Sequence, residues 1–134
     1  MKKYDNFCRP LTNLQTGLQL EEPYSVVEQA GIIGLFGICF EQSRKLMKDV
    51  LEKHGRFENK VGSPRAIIKM AFQCDLIKDE ELWLELLETR YVLAHTYTDE
   101  ESLAAIRRLK ERYIAAFEAL KAELDGGWLD VYDS

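Results

Sequence analysis

The sequence predicts an all-α protein, an up-and-down bundle of four longer helices with one additional short helix. Apolar residues recur at spacings of three and four, no stretch alternates with the period of two that strands show, and the predicted connections are short. Only three prolines and eight glycines occur among the 134 residues. We expect residues 1–134 to form a single domain, with residues 125–134 as a loosely held tail.

The first two helices are predicted from an apolar stripe and a capping box. The first helix spans about residues 4–20. Its apolar stripe, with residues spaced by four, three and four, consists of Phe7, Leu11, Leu14 and Leu18. Ser25 and Glu28 form a capping box that starts the second helix. That helix continues to His54, and Gly55 follows in the position that favours a left-handed cap.

The second helix contains the segment AGIIGLFGICF. Its eleven consecutive apolar residues are too few to span a bilayer, which needs about twenty, so the segment indicates a central core helix. Gly31, Gly34 and Gly37 fall three apart, and each costs about 1 kcal/mol of helix propensity relative to alanine. Close approach by a neighbouring helix or a second subunit would offset that cost.

The remaining helices follow the loop signal HGRFENKVGSP. Ser63 caps a short third helix that starts with Pro64 and reaches about Cys74. Asp79 begins a fourth helix through Leu93.

A second capping box, Thr98 with Glu101, opens the fifth helix. Its apolar positions are Leu103, Ile106, Leu109, Tyr113, Phe117, Leu120 and Leu124. Gly126 and Gly127 stop this helix. In the tail, Trp128 and Tyr132 either fold back on the bundle or contact a partner.

The three cysteines, Cys8, Cys39 and Cys74, are far apart and lack CxxC spacing. A disulfide framework and a zinc site are therefore disfavoured, and a reducing cytoplasm fits best. The N-terminus lacks the apolar region of a signal peptide. We expect no membrane span, no metal and no cofactor.

The net charge of −5 is unevenly distributed. Residues 44–69 carry eight Lys/Arg and three Asp/Glu, whereas residues 75–134 carry seven and fifteen. This balance disfavours a broad nucleic-acid coat, which needs many phosphate contacts. The basic segment is interpreted as a solvated face; a patch for an anionic ligand or an acidic partner is the alternative.

The residue inventory closes most catalytic routes, since only two histidines occur and no zinc-protease or EF-hand motif is found. What remains is Arg90-x4-His95-x-Tyr97. On a continuous helix, residues seven apart share a side, but residues five apart are separated by about 140°. The angle between Arg90 and His95 closes only if the helix ends near His95. A protonated histidine there could protonate a leaving oxygen while Arg90 steadies a phosphate; a polar helix cap is the competing interpretation.

The sequence resembles the nucleotidyltransferase substrate-binding protein family, a branch of the HEPN superfamily of small helical proteins. The resemblance runs over nearly the whole chain. The matching blocks are YDNFCRPLTNL, GIIGLFGICFEQSRKLMKDVLEKHG, SPRAIIKMAFQCDLI and ELWLELLETRYVLAHTYTDE. The family's Arg-x4-His-x-Tyr signature maps onto Arg90, His95 and Tyr97.

The resemblance implies a homodimer that acts beside a minimal nucleotidyltransferase. In related toxin–antitoxin pairs the HEPN member is a metal-independent ribonuclease whose arginine and histidine face one cleft across the dimer. The nucleotidyltransferase silences it by adding AMP to the signature tyrosine, here Tyr97. In the substrate-binding branch the protein holds or presents a substrate, a nucleotide or RNA, for its partner.

Three further positions bear on this resemblance. Glu41 matches an acidic family position and would orient Arg90. Tyr91 stands where ribonuclease members often have a small polar residue, and Gly37 where many relatives have a glutamate. We therefore rank a partner of a nucleotidyltransferase first, a ribonuclease using Arg90 and His95 second, and a bundle without chemistry third.

Overall fold

A computed structural model describes residues 1–56 and 62–133, and these residues form an all-α bundle. The described α-helices are α1 (Lys2–Gly17), α2 (Val26–Lys53), α3 (Pro64–Gln73), α4 (Glu80–Leu93), α5 (Asp99–Arg108) and α6 (Ile114–Leu124). A π-helical turn, Leu109–Tyr113, joins α5 to α6, so residues 99–124 form one continuous rod. The prediction of an all-α bundle with an extra short helix, α3, is confirmed. Part of the predicted loop HGRFENKVGSP, residues 57–61, lies outside the described residues.

The predicted helix starts are present as hydrogen-bonded caps. The backbone N–H of Glu28 donates to Ser25 Oγ at 3.0 Å, and the Glu28 carboxylate accepts from the Ser25 N–H at 2.8 Å. The same reciprocal pair, with the same distances, joins Thr98 and Glu101. These caps satisfy amide groups that a helix N-terminus leaves without partners. They fix where α2 and α5 begin.

The end of α1 differs from the sequence prediction, whereas the end of α2 agrees with it. α1 ends at Gly17 rather than near residue 20, because the N–H groups of Gln19 and Leu20 donate to carbonyls three residues back, at Thr16 and Gly17, and no longer four residues back. Gly55 adopts φ +69° after α2, the left-handed conformation expected of it.

The helices alternate in direction around a buried aromatic centre. Lys3, near the start of α1, pairs with Asp49 near the end of α2 at 3.0 Å, so these helices run antiparallel. The ring of Phe117 on α6 is fully buried and lies 5.6–6.4 Å from the rings of Phe7, Phe36 and Trp83. Because those rings belong to α1, α2 and α4, one α6 side chain contacts all three other long helices. The centre of the bundle is therefore tightly specified by ring packing.

The segment expected to be a loosely held tail contains a 3-10 helix, Trp128–Asp133, that folds back on the bundle. Trp128 Nε1 donates to Glu123 at 2.9 Å, and Tyr132 Oη donates to Asp49 at 2.5 Å. The Trp128 carbonyl lies 2.8 Å from His54 Nε2 at the end of α2. Both tail aromatics thus contact the bundle.

The three cysteines are all unpaired; Cys39 is fully buried, and Cys8 and Cys74 are partly exposed. Burial raises the pKa of the Cys39 thiol. Among the described helices, none combines the length and the apolar character needed to cross a lipid bilayer.

Candidate functional site

Arg90 and Tyr97 line one surface cleft of about 350 Å³ between α2 and α4, which we call the α2–α4 cleft. Arg90 lies in the last turn of α4, and Tyr97 lies in the connection between α4 and α5. Gly37 and Glu41 of α2 line the same cleft. The remaining lining residues are Ala30, Ile33, Gly34, Ile38, Gln42 and Leu93.

Gly37 lets the guanidinium of Arg90 lie against the backbone of α2. A Cβ placed on Gly37 would lie 3.2 Å from Arg90 Cζ and 3.4 Å from its Nε and Nη1. This contact explains one of the three glycines in the apolar run, because any side chain there would push the arginine away. No described atom lies within 4 Å of a Cβ added at Gly31 or Gly34, so those two glycines face open space.

Glu41 lies beside Arg90 but is hydrogen-bonded to a different arginine. Its Oε1 accepts from Arg44 Nε at 3.1 Å and Nη2 at 2.9 Å. Arg90 Nε lies 3.8 Å from Glu41 Oε2, an ion pair that is too long for a hydrogen bond. Among the described residues, Arg90 Nε is buried and has no hydrogen-bond acceptor. An unsatisfied buried donor of this kind costs about 1–3 kcal/mol or more when charged, so its presence calls for an explanation.

His95 and Tyr91, which the sequence grouped with Arg90, lie outside the cleft lining. α4 ends at Leu93, as the geometry of the motif required, and His95 follows in an exposed bend. Tyr91 is 48% exposed on the surface of α4. The structure therefore brings together Arg90, Glu41 and Tyr97, whereas His95 and Tyr91 face solvent.

Tyr97 also borders a second cavity of about 240 Å³, which we call the α2–α5 hollow. Its other lining residues are Tyr24, Val26, Gln29, Ala30, Asp99 and Ser102. Tyr97 and Ala30 line both cavities, so the tyrosine stands on the ridge between them. The Tyr97 hydroxyl makes no hydrogen bond to the described residues, and its side chain is half-buried.

With this geometry in place, comparison with known proteins identifies the family. A family model for nucleotidyltransferase substrate binding protein-like chains matches residues 2–126, which include all the cleft residues. The chain belongs to this family. The membership supports a role as the substrate-binding partner of a nucleotidyltransferase.

A solved structure agrees with the assignment of the fold. The chain is similar to a protein from Thermus thermophilus whose crystal structure is known, with 28% sequence identity and a TM-score of 0.78. The match covers 88% of this chain and 98% of that chain. No curated protein matches the sequence significantly.

A polar cluster that the sequence did not predict lies on the side of α4 away from the α2–α4 cleft. Tyr113 Oη donates to Glu85 at 2.6 Å, and it lies 3.0 Å from Thr89 Oγ1 and 3.1 Å from Arg108 Nε. Arg112 also binds the Glu85 carboxylate. The hydrogen bonds from Tyr113 and Arg112 hold the pKa of Glu85 below its usual value. Burial, with the bond to Glu85, raises the pKa of Tyr113.

The π-helical turn is what assembles this cluster. Arg108 and Tyr113 are five residues apart, and in an α-helix they would point about 140° away from one another. The i→i+5 hydrogen bonding of a π-helix brings such residues onto the same side. The sequence contains no signal that we could have read for this turn, since Leu109 and Tyr113 also fit the ordinary 3/4 spacing.

Proposed function

We propose that this protein is the helical partner and substrate of a minimal nucleotidyltransferase, which adds AMP to Tyr97. In this step the phenolic oxygen of Tyr97 attacks the α-phosphorus of ATP. The bond from that phosphorus to the bridging oxygen of the β-phosphate breaks, and pyrophosphate leaves. The phenolic proton passes to a base of the nucleotidyltransferase or to water. The product is a phosphodiester that carries one negative charge beside Arg90.

The observation that carries the proposal is the unsatisfied Nε–H of Arg90 in the cleft that Tyr97 lines. A phosphate on Tyr97 supplies the acceptor that Arg90 lacks, and arginine binds phosphate oxygens through charge-assisted hydrogen bonds. Glu41 does not satisfy this donor, because its Oε2 lies 3.8 Å from Arg90 Nε and its Oε1 is bound by Arg44. The unmodified Tyr97 hydroxyl has no competing partner among the described residues.

The proposed assembly is a HEPN-type homodimer that buries the outer face of α2 and the end of α4. Val27, Gly31, Gly34 and Ile38 recur at helical spacing along that face, where Val27 is 81% and Ile38 is 53% exposed. Such exposed apolar surface is typical of a protein interface. It adjoins the α2–α4 cleft, so a second copy would complete the cleft wall. A reducing cytoplasm suits the three unpaired cysteines.

A toxin–antitoxin relationship is part of the same proposal, since the phosphate of AMP on Tyr97 would block the α2–α4 cleft by occupying Arg90. The ribonuclease alternative needs His95 as the general acid or base beside Arg90. The exposed position of His95, outside the cleft lining, does not favour that alternative within one protomer.

The test combines the purified protein with its nucleotidyltransferase, ATP and Mg²⁺, and follows the intact mass. We expect one AMP per chain on the wild type and none on Tyr97→Phe. Tyr132→Phe, which removes a hydroxyl from the distant tail, is the matched control and should be modified normally. Arg90→Lys keeps the charge but loses the planar fork, and should slow the modification about tenfold.

The same preparations are assayed for RNA cleavage, with His95→Ala as the control for the ribonuclease alternative. Modification without cleavage supports the proposed partner role. Cleavage that disappears in His95→Ala would establish the ribonuclease instead. If neither activity is seen, the bundle without chemistry stands.

A further inference from the structure

The α2–α5 hollow holds a second buried polar group without a partner. Among the described residues, only Tyr24 Oη and Arg90 Nε are buried side-chain polar atoms that lack a hydrogen bond. Arg90 lies in the cleft on one side of Tyr97, and Tyr24 lines the hollow on the other side. Two unsatisfied donors thus flank the tyrosine that we propose as the acceptor of AMP.

The two cavities differ in charge, and this difference sets what each can hold. The α2–α4 cleft contains the cation of Arg90, whose Nε–H has no hydrogen-bond acceptor among the described residues although it forms a 3.8 Å ion pair with Glu41. Asp99 lines the α2–α5 hollow and begins α5, which has two more acidic residues in its first turn. The Asp99 carboxylate repels a phosphate in the hollow, despite the favourable helix N-terminus. A neutral group with hydrogen-bond donors and acceptors is favoured there.

The polar atoms of the hollow complement a nucleoside. The Tyr24 hydroxyl can donate to a ring nitrogen of a base. The Asp99 carboxylate and the side-chain carbonyl of Gln29 can accept from ribose hydroxyls or an exocyclic amine. The Gln29 amide is already fixed, because it donates to the Asp99 carbonyl at 3.1 Å and to Ser102. Only its side-chain carbonyl oxygen is therefore left to bind a ligand, as an acceptor.

The Tyr24 ring is held in place and offers a surface for a base. Lys110 Nζ lies 5.1 Å from the ring centroid and donates to the Leu20 carbonyl at 2.8 Å. An aromatic ring positioned in this way can stack with a base, an interaction that tolerates any base but is strongest for purines. Since Tyr97 and Ala30 line both cavities, a nucleotide attached to Tyr97 can reach both.

We propose that the α2–α5 hollow, built by Tyr24, Gln29 and Asp99, binds the nucleoside of the AMP on Tyr97 while Arg90 binds its phosphate. This inference rests on the proposed modification of Tyr97. The inference adds a binding site for the nucleoside, so that the AMP group is held in a fixed position between α2, α4 and α5 and is not a flexible adduct.

The test uses the protein modified by its nucleotidyltransferase with isotopically labelled ATP. In nuclear magnetic resonance spectra, adenine H2 and H8 should show nuclear Overhauser contacts to the Tyr24 ring. A docked nucleotide should also resist release of AMP by an added phosphodiesterase. In Tyr24→Phe, which loses only the hydroxyl, release should be about two- to tenfold faster, the effect of one hydrogen bond. Tyr132→Phe, remote from both cavities, should match the wild type.

The two possible failures are distinct. If the wild type accepts no AMP on Tyr97, the proposed function is wrong and this inference falls with it. If Tyr97 is modified but the adenine shows no contact with Tyr24 and all three proteins release AMP equally fast, the nucleoside site alone is overturned.

Discussion

The two sides of α4 carry polar clusters of similar composition but opposite hydrogen-bonding state. On the side facing α5, the Tyr113 hydroxyl donates to Glu85 and has Thr89 and Arg108 in place as donors. A tyrosine hydroxyl has one proton and two lone pairs, so this group is saturated. On the side facing α2, Arg90 Nε is buried without an acceptor and the Tyr97 hydroxyl is unpaired among the described residues.

Both sides of α4 contain buried polar atoms, so the presence of such atoms does not distinguish a structural cluster from a binding site. What distinguishes them in this bundle is whether the polar atoms already have hydrogen-bond partners. A saturated cluster fixes the position of α4 against the 99–124 rod and leaves nothing to offer a ligand. An unsatisfied one costs stability and becomes favourable only when a ligand arrives. The π-helical turn belongs to the first kind, although such turns are often found at functional sites.

The same chemical change on the two sides of α4 should give the largest contrast. Tyr113→Phe removes the hydroxyl oxygen that accepts hydrogen bonds from Arg108 and from Thr89, which is only 7% exposed. We expect this substitution to lower the free energy of unfolding by about 1–3 kcal/mol. Tyr97→Phe removes a hydroxyl that has no hydrogen-bond partner among the described residues, and it should change the free energy of unfolding by less than about 0.5 kcal/mol. Urea denaturation with an unchanged m-value measures both. Equal losses would mean that the two clusters do not differ as described.

Acid should weaken the saturated cluster selectively. The pKa of Glu85 is lowered from 4.5 by the bonds from Tyr113 and Arg112, so the ionised form stabilises the fold. That contribution is complete above pH 4.5 and disappears as the pH falls through the lowered pKa of the folded state. Glu85→Gln should therefore cost about 0.5–1 kcal/mol at pH 7, with the cost shrinking below pH 4.5.

The matched control for this pH dependence is Glu88→Gln, three residues along the same helix. Glu88 is exposed and has no ion pair or hydrogen bond to the described residues. Its replacement should leave the unfolding free energy nearly unchanged at either pH. A Glu85→Gln cost that stays constant as the pH falls below 4.5 would show that packing, and not the ionised carboxylate, is what the substitution removes.

The two sides of α4 also differ in how much of their structure could be predicted from the sequence. The helices, both capping boxes and the burial of Tyr113 follow from local spacing and cap chemistry, which short segments encode by themselves. Arg90 and Tyr97 line one cleft, but the seven-residue spacing is not the reason, because α4 ends at Leu93 and Tyr97 lies in the connection that follows. The bonds of Glu85 and Thr89 to Tyr113 were not readable, because they depend on a π-helical turn and on contacts across 24 and 28 residues.

The contact of Gly37 with Arg90 lay between these extremes. The helix-propensity cost of the three glycines predicted close approach by a neighbouring helix or subunit; among the described residues, only the side chain of Arg90 approaches, and only at Gly37. Spacing alone did not tell which glycine is contacted or by which side chain. Of these three glycines, only Gly37 has a described neighbour within 4 Å of an added Cβ, and that neighbour is the guanidinium of Arg90 in the α2–α4 cleft.

A substitution with only a small predicted effect on stability, Gly37→Ala, tests the unsatisfied side of α4 most directly. In Gly37→Ala, the added methyl lies 3.2 Å from Arg90 Cζ, and the guanidinium, at the end of a flexible chain, can move by a few tenths of an ångström. Alanine gains up to about 1 kcal/mol of helix propensity, so we expect a net stabilisation of about 0.5 kcal/mol or less. Gly31→Ala, which meets no described atom within 4 Å, is the comparator for the stability measurement and should gain the full propensity term.

Addition of AMP to Tyr97 should respond in the opposite direction to stability. The displaced guanidinium of Gly37→Ala no longer meets the phosphate correctly, so we expect the rate of modification to fall about two- to tenfold. A variant that is more stable and yet less readily modified is the signature of a site held in an unsatisfied state by its fold. If Gly37→Ala is modified as fast as the wild type, the glycine serves helix packing only and Arg90 is not positioned by α2.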